Sequence, residues 1–192
     1  MNRFKEVIKN NLSGKKVLVL FVITTLVYVI MLLFTIPRVM EFSNGLRLLD
    51  MMPLGYDATY IRTLFDTLGE QGRQRYLFNQ IPVDMIYPGF FAITYCFLIA
   101  YFLNKINKLK GSLFYLCFIP IIAGIADYLE NFSIVYLLSE YPNLSKQVML
   151  AANLFSIVKS TTTSVFFIVL IVLSFLFGIQ RLRGIDWQAK DV

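Results

Sequence analysis

Asp127, Glu130 and Asn131 stand together in the stretch ADYLENF, inside a run that is otherwise apolar from 112 to 138. Their spacing of i, i+3 and i+4 puts two carboxylates and an amide on one helix face. Kept out of water, such groups can hold a cation, exchange a proton or orient a substrate. A base stands in the next apolar run. Counted from the expected outer end of each run, Asp127 lies about 11 residues, or roughly 16 Å, deep, and Lys159 about 12 residues, or roughly 18 Å. The two share a level, and an ion pair of Lys159 with Asp127 or Glu130 is expected, because a lone charge at mid-membrane costs at least ~2.5–3.5 kcal/mol. Thr163 lies at i+4 from Lys159 on its own face. Asp84, Tyr87 and Tyr28 fall in the outer parts of two further apolar runs. The candidate ligand-binding set is therefore Tyr28, Asp84, Tyr87, Asp127, Glu130, Asn131, Lys159 and Thr163. With three acids set against Lys159, at least one carboxyl is expected to be protonated, paired with an arginine, or bound to a cation.

Other chemistry has little support. The chain has no histidine, which removes the commonest general base and zinc ligand. Cys96 and Cys117 each stand alone in apolar sequence and read as packing residues, with no metal spacing and no disulfide framework. No catalytic residue, metal or cofactor is assigned. The net charge of +6 is explained by a positive-inside bias, since no basic cluster is interleaved with aromatics as a nucleic-acid interface requires.

The elements that must position these groups are membrane spans. Hydrophobic residues make up 57% of the 192 residues, above the soluble norm of about half. Four runs exceed the ~20 residues needed to cross the hydrocarbon core: 17–37, 82–103, 112–138 and 148–179. The predicted fold is all-α, one membrane domain over 1–192 built as a four-transmembrane-helix bundle. On the third span Pro120, Ala123 and Gly124 continue the polar face and let a neighbouring helix approach closely. That face is expected to point into the bundle.

The link over 38–81 is too long for a plain connection. Within it, Asp57 can cap a short helix and Gly69 can end it. Tyr60, Ile61, Leu64, Phe65 and Leu68 fall on one face. A second helix is expected over 70–80, Pro82 is expected in the first turn of the second span, and Pro88 is expected to kink that span. The link reads as a small helical extracytoplasmic cap over an outer-half pocket, favoured over a pair of interfacial helices.

Lys and Arg residues set the orientation. Arg3, Lys5, Lys9, Lys15 and Lys16, then Lys105, Lys108 and Lys110, then Arg181, Arg183 and Lys190 outnumber Arg38, Arg47, Arg62, Arg73, Arg75 and Lys146 on the other side. Both termini are therefore expected in the cytoplasm, with the chain multi-pass in the inner (plasma) membrane. The first run is too long for a signal-peptide core and no small-residue cleavage site follows it, so it reads as an uncleaved span.

The stretches GYDATYIRTLFDTLGEQGRQRYL, DMIYPGFF and ADYLEN resemble a family of small bacterial four-helix integral membrane proteins over most of the chain. The resemblance implies no known activity. It implies a shared site at Asp84, Tyr87, Pro88, Asp127, Glu130 and Asn131. Membrane sterol isomerases also use acids within a small bundle, but their motif is absent here. Three function classes follow. The first binds a small amphipathic ligand, proton or cation in the outer-half pocket. The second is a structural or assembly subunit of a larger complex or homo-oligomer. The third is a lipid- or isoprenoid-modifying enzyme, for which no nucleophile constellation is present. The lipid bilayer is the partner common to all three; nucleic acid is a partner in none.

Overall fold

Proline lacks an N–H and crowds the carbonyl four residues back, so a helix that carries one must change its winding nearby. In the computed structural model, which describes residues 2–109 and 111–182, this happens along three of the spans. Helix α1 (Asn2–Asn11) precedes α2 (Gly14–Ile30). The latter widens into a π turn at Met31–Thr35 and ends as α3 (Ile36–Met40), with Pro37 in its first turn. Helix α4 (Ala58–Arg75) passes through a second π turn, Tyr76–Gln80, into α5 (Ile81–Asp84), with Pro82 in its first turn. After Met85 and Ile86 the path resumes as α6 (Tyr87–Lys105), where Pro88 again takes the first turn. A 3-10 stretch, Ser112–Phe118, leads into α7 (Ile119–Glu140), with Pro120 in its first turn. Helix α8 (Lys146–Leu182) is continuous.

The protein is an all-α bundle of four helices, each long and apolar enough to cross a membrane: Gly14–Met40, Ala58–Lys105, Ser112–Glu140 and Lys146–Leu182. At 1.5 Å per residue the 37 residues of α8 reach about 55 Å, well beyond a hydrocarbon core of about 30 Å. The outward faces carry large apolar side chains. Ile171 and Phe175 are each 67% exposed, a surface suited to lipid. Lys110, Arg183 and Lys190, which enter the charge bias, lie outside the described residues.

The second helical path begins at Ala58, well before Pro82, because Pro82 sits inside it behind a π turn. Asp57 caps α4, its side chain accepting from the Tyr60 amide at 2.7 Å. Gly69 breaks the helix with φ +60°, a conformation that favours glycine. Arg73, just past the break, donates from Nη1 to the Phe65 carbonyl at 2.7 Å and lies 3.9 Å from the centre of the Tyr141 ring. Tyr141 in turn bonds Asp66, which ties α4 to the turn between α7 and α8. Ile61, Leu64, Phe65 and Leu68 face inward, buried on Val39, Leu48 and Leu49 of the first span and link.

Buried apolar residues form two clusters. One lies under the link and holds Leu64, Phe65, Ile134, Leu137 and Met149. The other lies at the opposite end and holds Phe91, Ile99, Phe114, Cys117 and Phe166. On α7, Asp127, Glu130 and Asn131 fall between Ala123 of one cluster and Ile134 of the other; on α8, Lys159 falls between Ala152 and Phe166. A polar belt therefore divides the core. At Gly124 helices α6 and α7 meet so closely that a Cβ would stand 2.8 Å from the Pro88 carbonyl oxygen. This is the close approach expected of a small-residue face.

Candidate functional site

Lys159 is the hub of the belt. Its ammonium lies 3.4 Å from Asp127 Oδ1 and contacts Glu130 Oε2. The third approach is to the link, where the Asp50 backbone carbonyl lies 3.4 Å from Nζ. Ser156, one turn back, donates to the Met52 carbonyl at 3.2 Å. Thr162 bonds back to the Val158 and Lys159 carbonyls, as a hydroxyl inside a helix does. Thus α8 gives one face to the acids of α7 and to the backbone of the link.

The link enters the site through residues that periodicity alone does not single out. Asp50 accepts from the Tyr76 hydroxyl at 2.6 Å and from Gln80 Nε2 at 3.3 Å. Gln80 also bonds Thr35 on the first span. Tyr56 donates from its hydroxyl to Glu130 Oε1 at 3.2 Å, and its amide donates to Asn153 Oδ1 at 2.9 Å. Burial, then the Glu130 charge, holds the Tyr56 phenol above its ordinary range, so it stays a donor. Gly55, at φ +83°, lets the link press against α8: any Cβ there would collide with the Asn153 side chain.

Beside this network lies a cleft of about 720 Å³. Its walls are the first span and α8, and its floor is formed by α5, α6 and α7. Asp50, Met51 and Pro53 of the link border one end. Six of the sequence-nominated residues line it: Tyr28, Asp84, Tyr87, Asp127, Lys159 and Thr163. Tyr28 and Tyr87 stack at 5.4 Å between ring centres. Glu130 and Asn131 do not line the cleft. Both are fully buried behind it, because the α7 face that carries them turns toward Tyr56 and α8 rather than into the opening. Neither polar atom of the Asn131 side chain has a hydrogen-bond partner among the described residues.

Asp84 is the unusual member. It is 3% exposed, and its Oδ2 has no hydrogen-bond partner among the described residues. Tyr76, Gln80 and Asp84 repeat at i, i+4 and i+8, so one helix stripe delivers two donors to Asp50 and one acid to the cleft. That stripe was legible in the sequence, but a span boundary drawn at 82 hides it. No three His, Cys, Asp or Glu side chains among the described residues are grouped to hold a metal ion. Comparison with protein-family models, with curated proteins and with solved structures finds no match. The geometry alone carries the functional reading.

Proposed function

We propose that this protein is an intramembrane binding protein whose cleft takes a small ligand in the outer half of the bilayer, with Asp84, Asp127 and Lys159 as its polar contacts. The observation that carries the reading is Asp84: this acid lines a cleft of about 720 Å³, and its buried Oδ2 has no hydrogen-bond partner among the described residues. A buried polar atom left unsatisfied costs about 1–3 kcal/mol, and a ligand donor in the cleft would remove that cost. The orientation follows from the positive-inside bias, with both termini in the cytoplasm of a cell whose plasma membrane holds the chain. The link then covers the outer end of the site.

A structural or assembly role is the second reading. It is favoured by Lys159 joining α7, α8 and the link, since such polar contacts fix helix packing whether or not anything binds. The two separate by experiment. Native mass spectrometry of protein released gently from membranes is expected to show a bound small molecule that disappears when Thr163→Trp fills the cleft. A wild-type protein that flies without adducts, and whose thermal midpoint responds to no added small molecule, would leave only the structural role. Orientation is checked by maleimide labelling of single cysteines in intact cells. Leu54→Cys, at a position 93% exposed in the link, is expected to react from outside, and Arg3→Cys only after lysis.

A further inference from the structure

We infer that the cleft takes a single-chain amphipathic amine directly from the surrounding lipid, with its cationic head at Asp84 and its chain lying between the first span and α8. This rests on the reading of the cleft as a binding site and names the class of ligand.

The opening is lateral. Helix α2 packs along α6, and no comparable packing joins it to α8, so the space between those two helices is the cleft. Its lips are surface residues: Tyr28 is 43% exposed, Leu32 41% and Phe167 45%. Large exposed apolar side chains dominate the neighbouring outward faces of α2 and α8, with the exposed Thr161 and Ser164 of α8 among the exceptions, so entry there is from the hydrocarbon side.

The charges gather at one end of the lining. Asp50, Asp84, Asp127 and Lys159 lie toward the link, and the deeper part is uncharged, with Phe91, Tyr95 and Phe167 beside threonine and serine hydroxyls that bond back to their own helices. From Lys159 to Phe167 on α8 the rise is about 12 Å. That matches an extended chain of roughly ten carbons, with C–C bonds of about 1.5 Å. At about 30 Å³ per heavy atom the cleft has room for roughly 24, ample for one such chain with its head group.

Charge decides the head group. Lys159 is already engaged by Glu130 and Asp127, and Asp50 has both oxygens bonded, to Tyr76 and Gln80. Asp84 Oδ2 is left over, and the acids around the site outnumber its lysine. An anionic head would add to that excess; an ammonium offsets it and donates the missing hydrogen bond. Among the described residues the carboxylates do not converge in threes, so a bare metal ion is a poorer fit than an ammonium that needs one good anchor.

The full-length protein in discs of neutral phospholipid provides the test, with decylamine, decanoate and decanol added at equal membrane mole fraction. Decylamine is expected to raise the thermal midpoint by about 5–10 °C near saturation. Decanoate and decanol are expected to leave it within ~1 °C of its starting value. The amine shift is expected to vanish in Asp84→Asn and in Thr163→Trp. A decylamine carrying a photoreactive group at the chain end is expected to label the two walls of the cleft, residues 24–32 of the first span and 160–167 of α8, which needs no variant to fold. If decanoate or decanol stabilises equally and Thr163→Trp abolishes the effect, the cleft binds lipid-like molecules but the amine class is overturned. Should the amine shift survive both substitutions, or the label fall elsewhere, the site itself is overturned. No shift with any of the three compounds overturns the inference and leaves the broader binding reading to native mass spectrometry.

Discussion

Removing the Lys159 ammonium tests the polar belt most directly. Lys159→Met keeps the length and the apolar stem of the side chain and deletes the charge. The ammonium sits 3.4 Å from Asp127 and in contact with Glu130. At an effective dielectric near 20, unit charges 3.4 Å apart attract by about 5 kcal/mol. Desolvation of the lysine, whose side chain is 15% exposed, takes back much of that. The larger cost lies in what remains: Glu130 is fully buried and loses its cation. Breaking one side of a buried pair costs about 3–5 kcal/mol. For a chain of this length each kcal/mol moves the thermal midpoint by about 2–4 °C, so a fall of about 6–20 °C is expected. The assay is the monodisperse fraction after heating in a mild micelle, for wild type, Lys159→Met, Glu130→Gln and the double variant. The double variant should be more stable than the summed single losses by at least ~1 kcal/mol, since Glu130→Gln removes the very charge that Lys159 offsets. A midpoint that moves by less than ~2 °C in Lys159→Met, or strict additivity in the double variant, would refute the argument.

Three further outcomes follow from the packing. Gly124→Ala places a Cβ 2.8 Å from the Pro88 carbonyl oxygen, so α6 and α7 must separate; a loss of about 1–3 kcal/mol is expected in the same heating assay. Gly55→Ala meets both the Asn153 side chain and a φ of +83°, so the link should lift from α8, and cleavage by chymotrypsin at exposed Leu54 should accelerate about tenfold or more. Tyr76→Phe removes the 2.6 Å donor to Asp50 and is expected to cost about 1–3 kcal/mol, with no change in helix content by circular dichroism.

Hydropathy and helical periodicity carried much of this arrangement, for physical reasons visible in particular residues. Lipid forces long apolar runs, so the four spans were plain. Charge in hydrocarbon needs a partner at its own depth, so Lys159 could be matched to Asp127 and Glu130 by counting residues. The link was harder. Asp57 and Gly69 declared the ends of its first helix, because caps and positive-φ glycines are local signals. Asp50 gave only a faint sign, as a single acid between Leu48, Leu49, Met51 and Met52. Its bonds to Tyr76 and Gln80 depend on how the link folds back, which no local period encodes. Asn131 shares a face with Asp127, yet the cleft opens beside Asp127 and not beside Asn131. Helical periodicity fixes a face, whereas the limits of a cavity are set by how α2 and α8 stand apart.

Asp84 separates cohesion from binding by the sign of one stability change. An acid that fastens helices does so through the partners it bonds, so removing it lowers stability. The unpartnered Oδ2 costs about 1–3 kcal/mol, and the wall atoms around an open volume also forgo packing contacts. Two unfavourable features thus coincide at one place, beside the cleft. If occupancy is their reason, Asp84→Leu should raise the midpoint of the empty protein by about 2–12 °C, from 1–3 kcal/mol at 2–4 °C each. The same substitution should abolish stabilisation by decylamine, the trade of function for stability expected at a binding site. If Asp84 serves only to fasten helices, Asp84→Leu should lower the midpoint by a similar amount in the empty protein, and the binding argument built on its free oxygen would be wrong.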